Sequence, residues 1–463
     1  MRDRQPGRPR DALARRLRNL QARARTTWYR ARFYVRRTAR RVALAAEDAL
    51  LGPRYATNER NLYLETFWFG VLNGVSTAFL EVFAVRLGAT SLQIGLLTAL
   101  PALVNVLVPV PAAGLLERRE TPIPLLRRTM LWQRLAFLLL ALVPLLEDRW
   151  QVVAIVGLVA LGTLPAAILN LGITVLIGDL VGPRDRATVV SRRNVILAGT
   201  TALVAMAGGW WLDFVPFPLN YQLLFGAGAC ASLLSVRYLG RVAMPHTPRP
   251  RPARRAGVRW TQFRAAWGRL LHQRRFLQFA GSAFVYHWGL YLPAALYSIY
   301  RVRLLGASDR WIGSFTTLHT LATIAGYWLG GRLVRRWGEE RVLVWSAGGL
   351  AFYPVLTALA TTLPPLLGVS VLGGLFGAGL SLTLFNMSLA LAPEGKRPTY
   401  VALYTVVVNV AAFAAPLVGS ALAGAMGIRQ AMYLAGGVRL VGVGLFAWTL
   451  LRQAAPRGSA SGQ

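Results

Sequence analysis

Twelve long apolar runs, separated by short charged or Gly- and Pro-containing segments, constrain this chain more than any other feature. A helix that crosses a bilayer needs about 20 mostly apolar residues. The runs cover residues 62–85, 92–116, 126–146, 151–177, 189–211, 219–239, 277–300, 311–334, 341–360, 364–391, 400–426 and 430–451. We predict that each run is a membrane-spanning helix, and we number the spans 1 to 12. Prolines inside the runs are tolerated, because neighbouring helices can satisfy the backbone groups that they free.

The composition excludes several classes of protein. Hydrophobic residues make up 55% of the 463 residues and charged residues only 15%, whereas an ordinary globular chain has about 25% charged residues. A single cysteine, Cys230, excludes a disulfide scaffold and a cysteine-based metal site. The only lysine is Lys396, so the chain has no P-loop. We therefore expect an integral membrane protein with no cofactor, no metal site and no enzyme activity.

The basic residues predict how the spans are oriented. The net charge is +34, and 44 of the 52 Lys and Arg residues fall at the termini and in alternate loops, against six in the other loops. Basic residues concentrate on the cytoplasmic side of a membrane. Both termini are therefore predicted to be cytoplasmic, in a multi-pass protein of the cell inner membrane.

The sequence also predicts the domain organisation. A basic amphipathic arm (1–60) precedes a first bundle (61–240), and a Pro/Arg-rich linker (241–275) precedes a second bundle (276–452) and a disordered tail (453–463). The linker ends in a short interfacial helix from about Trp260 to Gln273. Basic amphipathic segments beside a span typically lie on the anionic inner leaflet. We expect the lipid bilayer as their partner, no nucleic acid, and a monomer.

Three short motifs recur in the same order in both halves of the chain. Residues 87–95 and 305–313 share the pattern L-G-A-(T/S)-x-x-x-I-G, at an offset of 218. Residues 114–119 and 331–336 share G-x-x-x-R-R, and residues 186–188 match 397–399 as R-x-T. Repetition at a nearly constant offset indicates two copies of one unit. The predicted fold is all-α, with two parallel six-helix repeats.

The loop after span 8 carries Gly331, Arg335, Arg336 and Gly338. The chain has six plus six spans and a basic middle loop as well. Together these features resemble the major facilitator superfamily of secondary transporters, whose loop signature is G-x-x-x-(D)-R-x-G-(R/K)-(R/K). Arg335 stands where an acidic residue is usual, and the first-half copy lacks the following glycine. The family's antiporter signature in span 5 is absent.

The resemblance implies that these loops stabilise one conformation of the transporter. Gly114 and Gly331 would let helices approach closely, and Arg118 and Arg336 would bond helix-end carbonyls or a carboxylate such as Asp179 or Glu394. The full candidate set is Gly114, Arg118, Asp179, Arg186, Gly331, Arg335, Arg336, Gly338 and Arg397. The alternative is that the arginines only hold the loops at the cytoplasmic surface.

Span 1 gives the strongest indication of a translocation pathway. At 100° per residue its polar and small residues, among them Glu65, Asn73 and Glu81, fall on one face. A charged side chain within a membrane normally faces a polar cavity. Glu81 or Glu65 would then bind a proton or a cationic group of the substrate; alternatively, both merely reach the interfaces. The other candidates for the substrate or proton pathway are Asn170 in span 4, His287 and Tyr291 in span 7, and Asn386 in span 10.

Arg134 in span 3 and Arg439 in span 12 are unexpected in a membrane. Gln133 or a carboxylate could pair with Arg134, whereas the sequence offers no partner for Arg439. We predict a secondary active transporter of a small solute that works by alternating access, with coupling to protons as a hypothesis. The alternatives are a uniporter, a membrane-embedded enzyme, and a receptor without flux. The mixed, aromatic pathway fits neutral, amphiphilic or weakly charged solutes.

Overall fold

The computed structural model describes residues 57–117, 121–182, 185–243, 273–392 and 397–451. The chain divides into two compact units, Met1–Arg60 and Asn61–Gln463, and the contacts below lie within the second. The predicted basic arm, the interfacial helix and the tail lie outside the described residues, apart from the start of the first helix and residue 273.

Every regular element in these residues is helical, and the helices α1 to α12 match the twelve predicted spans. Their bounds are α1 Thr57–Arg86, α2 Ser91–Leu107 continued by Pro109–Glu117, α3 Ile123–Leu140, α4 Asp148–Leu180, α5 Arg186–Phe214, α6 Leu219–Leu239, α7 Arg274–Tyr291 continued by Ala294–Ile299, α8 Asp309–Trp337, α9 Glu339–Leu359, α10 Pro364–Ala390, α11 Arg397–Met426 and α12 Ile428–Phe446. Span 3 was predicted too long, since a 3₁₀ turn at Val143–Leu145 follows α3.

Eight of these helices are long and apolar enough to cross a membrane by length and composition: α1, α4, α5, α6, α9, α10, α11 and α12. Breaks after Leu107 and Tyr291 divide α2 and α7, the second at Pro293. The core of the first half packs around Phe79, Phe83 and Phe225, which are fully buried.

The repeated motif L-G-A-(T/S) forms the turn after α1 and again the turn after α7. Its glycines adopt positive φ, +88° at Gly88 and +68° at Gly306, a conformation that L side chains rarely adopt. The alanines that follow are buried. Thr90 accepts a hydrogen bond from the Gln93 amide and Ser308 accepts one from the Trp311 amide. Each motif therefore reverses the chain and caps the next helix.

The last glycine of each motif brings a helix of one half against a helix of the other. At Gly95 in α2, a Cβ atom would meet Pro416 and Ser420 of α11. At Gly313 in α8, it would meet the carbonyl oxygen of Ala205 in α5. The two copies of the motif thus form two corresponding contacts between the halves. We call the boundary between the two halves, which includes α2 on α11, α5 on α8 and the two motif turns, the seam.

Replacing Gly313 by alanine is expected to overpack the seam. The new methyl group would press on the backbone of α5, and overpacking costs about 1–3 kcal/mol. The melting temperature of the purified Gly313→Ala protein should therefore be several degrees below that of the wild-type protein. The matched variant is Gly331→Ala, because the nearest atom to its Cβ is the flexible tip of Arg335 at 4.0 Å. Equal melting temperatures of the two variants would contradict the close approach of Gly313 to α5.

Candidate functional site

Two arginines cross the seam in opposite directions. Arg86 ends α1, and its Nε and a terminal nitrogen donate to Asp309 Oδ1 at 3.0 and 2.9 Å, while that nitrogen also donates to the Ala307 carbonyl. Arg303 follows α7 and donates to the carbonyls of Val85 and Ala89 at 3.0 and 2.7 Å. Each arginine therefore holds the turn that follows the equivalent helix of the other repeat.

Asp309 is the centre of this arrangement. It is 6% exposed, and it accepts hydrogen bonds from Arg86 and from the Tyr221 hydroxyl, the latter at 2.7 Å. Ser420 adds a bond to the Ser91 carbonyl at 2.8 Å. These contacts lie where α1 ends and α8 begins, and we call this the closed end of the bundle.

Replacing Asp309 by asparagine is expected to loosen the closed end. Arg86 would lose its ion pair, and hydrogen bonds to charged groups contribute about 2 kcal/mol each. Spin labels are placed on cysteines that replace Leu92 and Leu304, which are 53% and 50% exposed, in a Cys230→Ser background. The distance between the two labels should then show a larger population of long values. Asp213→Asn is the matched control, because exposed Asp213 accepts, within the described part of the chain, one long bond from the Arg310 amide at 3.4 Å. Identical distance distributions for the two variants would contradict the role of Asp309.

A cavity of about 510 Å³ adjoins the seam. Its lining is almost wholly from the second half, with Glu81 as the member from the first half: Glu81, Leu290, Tyr291, Ala294, Tyr297, Arg301, His319, Thr323, Tyr327, Leu350, Tyr353, Gly373, Gly377, Ala378, Leu380, Ser381 and Arg439. The volume lies within the range typical of small-molecule sites. This cavity is the candidate binding site.

Glu81 reaches this cavity across the seam. Its carboxylate accepts a hydrogen bond of 2.5 Å from the hydroxyl of Ser298 in α7. Arg301, one turn further along, acts on it electrostatically. The Arg301 guanidinium itself donates to the Tyr297 carbonyl and lies 4.5 Å from the ring centroid of Phe315. A carboxyl group of one half thus forms a polar contact with the other half at the wall of the cavity.

Arg439 is 1% exposed, and the structure supplies the partners that the sequence did not reveal. Its Nε donates to the Gly289 carbonyl at 3.0 Å, and its terminal nitrogens donate to the carbonyl of Leu350 at 2.8 Å and to that of Leu290 at 3.2 Å. Four residues after Gly289 and Leu350 stand Pro293 and Pro354. Proline has no N–H to bond the carbonyl four residues earlier. Arg439 therefore bonds the carbonyls that two prolines leave free.

Tyrosines and one histidine complete the polar lining. The Tyr297 hydroxyl accepts from Arg439 at 3.1 Å, so its own proton remains available. Tyr353 lies edge-on to Tyr297, with 5.1 Å between the ring centroids. His319 Nδ1 is 3.0 Å from the Ser370 carbonyl. Because a carbonyl only accepts, Nδ1 carries a proton there, and Nε2 is an acceptor in the neutral ring.

The first half contains a separate buried charge cluster. Glu65 pairs with Arg193 of α5 at 3.0 Å, and Arg193 also donates to Thr66 at 2.7 Å. Arg134 donates to Gln133, the partner that the sequence suggested, and to Ser235 at 3.1 Å. The predicted pathway residue Glu65 is thus bound in an ion pair and does not line the cavity.

The other predicted pathway residues are dispersed. Tyr291 lines the cavity with Glu81. Asn73 donates to Thr201 of α5 at 3.0 Å, and buried His287 contacts the carbonyl of Ala283 at 2.7 Å. Asn170 is exposed and Asn386 half-buried. These four stay predictions as pathway residues. His319 of α8 also lines the cavity.

Two of the loop glycines show no close helix approach among the residues that the structure describes. A Cβ atom at Gly114 would have no described neighbour within 4 Å, and one at Gly331 would meet the tip of Arg335 at 4.0 Å. Close helix approaches occur instead at glycines of the seam and at glycines within each half, such as Gly172 and Gly374. Gly338 instead adopts φ +81° between α8 and α9. The predicted roles of all these glycines in conformational change stay predictions.

The loop arginines differ in what they contact. Arg186 donates to the carbonyls of Val181 and Gly178 at the end of α4, as a basic residue at a helix C-terminus can. Arg335 and Arg336 are exposed, and Asp179 is exposed at the end of α4. Arg118, Glu394 and the side chain of Arg397 lie outside the described residues. Among the members of this set that the structure describes, Arg186 shows the expected helix-end contact.

Comparisons with known proteins agree with this architecture. The sequence model of the Major Facilitator Superfamily matches residues 66–308 and 279–463. A crystal structure of a mutant of the nucleoside transporter NupG is similar, with TM-score 0.68, 12% identity, and 85% of this chain and 99% of that chain covered. A bacterial homologue of the iron transporter ferroportin in an inward-facing state gives TM-score 0.67, 17% identity, and coverages of 85% and 98%. The crystal structure of a D-xylose-proton symporter gives TM-score 0.60 and 14% identity, and the match covers 84% of this chain and 96% of that chain. No curated protein sequence matches the chain.

The fold and the family match define a multi-pass membrane transporter whose twelve helices form two parallel six-helix repeats. The chain belongs to the Major Facilitator Superfamily, as its repeat and loop motifs implied.

Proposed function

We propose that this protein is a secondary active transporter that moves a small solute by alternating access and is coupled to protons at Glu81. It acts in the cell inner membrane with both termini in the cytoplasm, as the distribution of basic residues favours. The closed end is then the outer end, and the structure corresponds to an inward-facing state. A similar structure, the ferroportin homologue, is also described as inward-facing.

The observation that carries this proposal is the position of Glu81. A carboxyl group contributed by α1 completes the lining of a cavity built by the other half, and it bonds Ser298 across the seam. A group in this position is sensitive both to the contents of the cavity and to separation of the halves. Opening of the closed end would break its bond to Ser298 together with the contacts of Arg86 and Arg303.

Protonation of Glu81 would change its interactions with both Ser298 and Arg301. An ionised carboxylate attracts Arg301 and accepts from Ser298; a protonated one loses the attraction. The proton would therefore alter the relative stability of the closed and open seam. A ligand or proton shifts such an equilibrium only by its differential affinity for the two states. Proton coupling follows if the open and closed seams bind the proton with different affinity.

The proposal is tested by proton flux in proteoliposomes. Vesicles that contain the protein and trapped pyranine, a pH-sensitive dye, receive a pH gradient and then, separately, monosaccharides, nucleosides, amino acids and aromatic sulfonates. We expect at least one of these solutes to accelerate proton entry over protein-free vesicles. Flux of a solute that is equally fast with and without the gradient would contradict coupling and leave a uniporter.

From the sequence alone, we also propose that the halves 61–240 and 276–452 act as rigid bodies. The arm 1–60 and the linker 241–275 would lie on the anionic inner leaflet, and the protein would act as a monomer. Native mass spectrometry and binding of a peptide of residues 1–60 to anionic vesicles test these last points.

A further inference from the structure

The cavity lining carries more positive than negative charge. Arg301 and Arg439 line the cavity together with one carboxylate, that of Glu81, and the cavity residues include no other acidic side chain in the part of the chain that the structure describes. Arg439 bonds three carbonyls and a hydroxyl, which are neutral groups. Dipoles solvate a buried cation without cancelling its charge. A net positive charge therefore remains beside the cavity.

The lining also offers hydrogen-bond donors to a ligand. Tyr297 accepts from Arg439, so its hydroxyl proton can point to a ligand, and that proton is polarised by the charge behind it. Tyr291, Tyr327 and Tyr353 add three more hydroxyl groups. The Glu81 carboxylate, already bonded by Ser298, and His319 Nε2 only accept, whereas each hydroxyl can donate or accept. This chemistry suits a ligand rich in acceptor oxygens.

We propose that the cavity binds a small organic anion, and that the anion and a proton on Glu81 bind cooperatively. The inference rests on the proposed function and specifies its substrate class. A bound anion lies among Arg301, Arg439 and the tyrosine hydroxyls, and an ionised Glu81 repels it. Protonation of Glu81 removes this repulsion, so the proton raises the affinity for the anion. By linkage, the anion raises the affinity for the proton to the same extent.

The other titratable and charged groups of the cavity do not replace Glu81 in this role. They are Tyr291 and Tyr297 from α7, Arg301 from the segment after α7, His319 and Tyr327 from α8, Tyr353 from α9, and Arg439 from α12. His319 donates from Nδ1 to a carbonyl in its neutral form, and its protonation would also favour an anion. The variant His319→Gln therefore separates the two sources of a pH effect.

The test uses three probes that share one ring but differ in fixed charge: benzenesulfonate, benzyl alcohol and benzyltrimethylammonium. Since none of them titrates in the assay, any pH dependence belongs to the protein. Binding to the purified full-length protein is followed by calorimetry. We expect benzenesulfonate to bind at least about tenfold more tightly than either other probe. Its dissociation constant should fall as the pH falls, by at most about tenfold per unit for one coupled proton.

Three variants identify the residues responsible. Glu81→Gln should bind benzenesulfonate as tightly at high pH as the wild-type protein does at low pH, with the pH dependence lost. Arg301→Gln should weaken binding about tenfold. Arg310→Gln is the matched control, because Arg310 is exposed and lies over the Trp210 ring outside the cavity. His319→Gln should keep the pH dependence.

Preference for the cationic probe, or pH-independent binding of the anion to the wild-type protein, would overturn the inference. So would a pH dependence that persists in Glu81→Gln and disappears in His319→Gln. The two proposals fail separately. Anion binding without any proton flux in vesicles would refute coupled transport and leave the anion site. Proton flux driven only by cations or neutral solutes would refute the anion site and leave coupled transport.

Discussion

Proton entry driven by a transported solute is expected to fall to the level of protein-free vesicles when Glu81 is replaced by glutamine. Glutamine keeps the size of the side chain and can still bond Ser298, but it cannot take up a proton. Exchange of labelled for unlabelled solute at equal pH should continue, because exchange needs no net movement of a proton. Loss of coupling with retained exchange is measured in the same pyranine-loaded vesicles.

The control for this variant is Glu147→Gln. Glu147 precedes α4, and its side chain is 67% exposed beside Arg149, away from the cavity, so its loss should leave coupling intact. A second check is Glu65→Gln, which removes the ion pair with Arg193 and not a cavity residue. If Glu65→Gln abolishes coupling and Glu81→Gln does not, the proton site lies in the buried cluster of the first half and our assignment is wrong.

Arg439→Met is expected to destabilise the folded protein by about 3 kcal/mol or more. The variant leaves the carbonyls of Gly289 and Leu350 without a donor next to Pro293 and Pro354, and each unsatisfied buried group costs about 1–3 kcal/mol. The yield of monodisperse protein in detergent and its melting temperature should both fall. Arg439→Lys should recover only part of the loss, because one ammonium cannot reach carbonyls on two helices with the same geometry.

Arg429→Met is the matched control for this prediction. Arg429 lies at the start of the same helix, is exposed, and makes a single bond of 3.2 Å to the Tyr300 hydroxyl. We expect its melting temperature to stay close to that of the wild-type protein. Equal melting of the two methionine variants would show that the freed carbonyls do not depend on Arg439.

Local patterns were sufficient to predict the fold. Hydropathy located all twelve helices, and the recurrence of L-G-A-(T/S)-x-x-x-I-G indicated a duplicated unit. Two positions of that motif have a local cause in the structure: the positive φ of Gly88 and Gly306, and the N-caps of Thr90 and Ser308. Positive-φ turns and caps depend on a few neighbouring residues, so the sequence alone is a good guide to them.

The candidate site was harder to predict, because it depends on which helices lie side by side. The polar face of span 1 pointed to Glu81, but the same face contains Glu65, which pairs with Arg193, and Asn73, which pairs with Thr201. Those partners are about 128 residues away in the chain. Arg439 shows an intermediate case. The prolines that free two carbonyls are visible in the sequence, whereas the proximity of α7, α9 and α12 is not.

The most direct test of alternating access is the distance across the seam during turnover. Spin labels at Leu92 and Leu304 in the Cys230→Ser background report on the closed end by pulsed electron paramagnetic resonance. With a coupled solute and a pH gradient, our interpretation predicts a second population at a longer distance, enlarged by Asp309→Asn. A single unchanged distance, in vesicles where solute flux is measured at the same time, would contradict it.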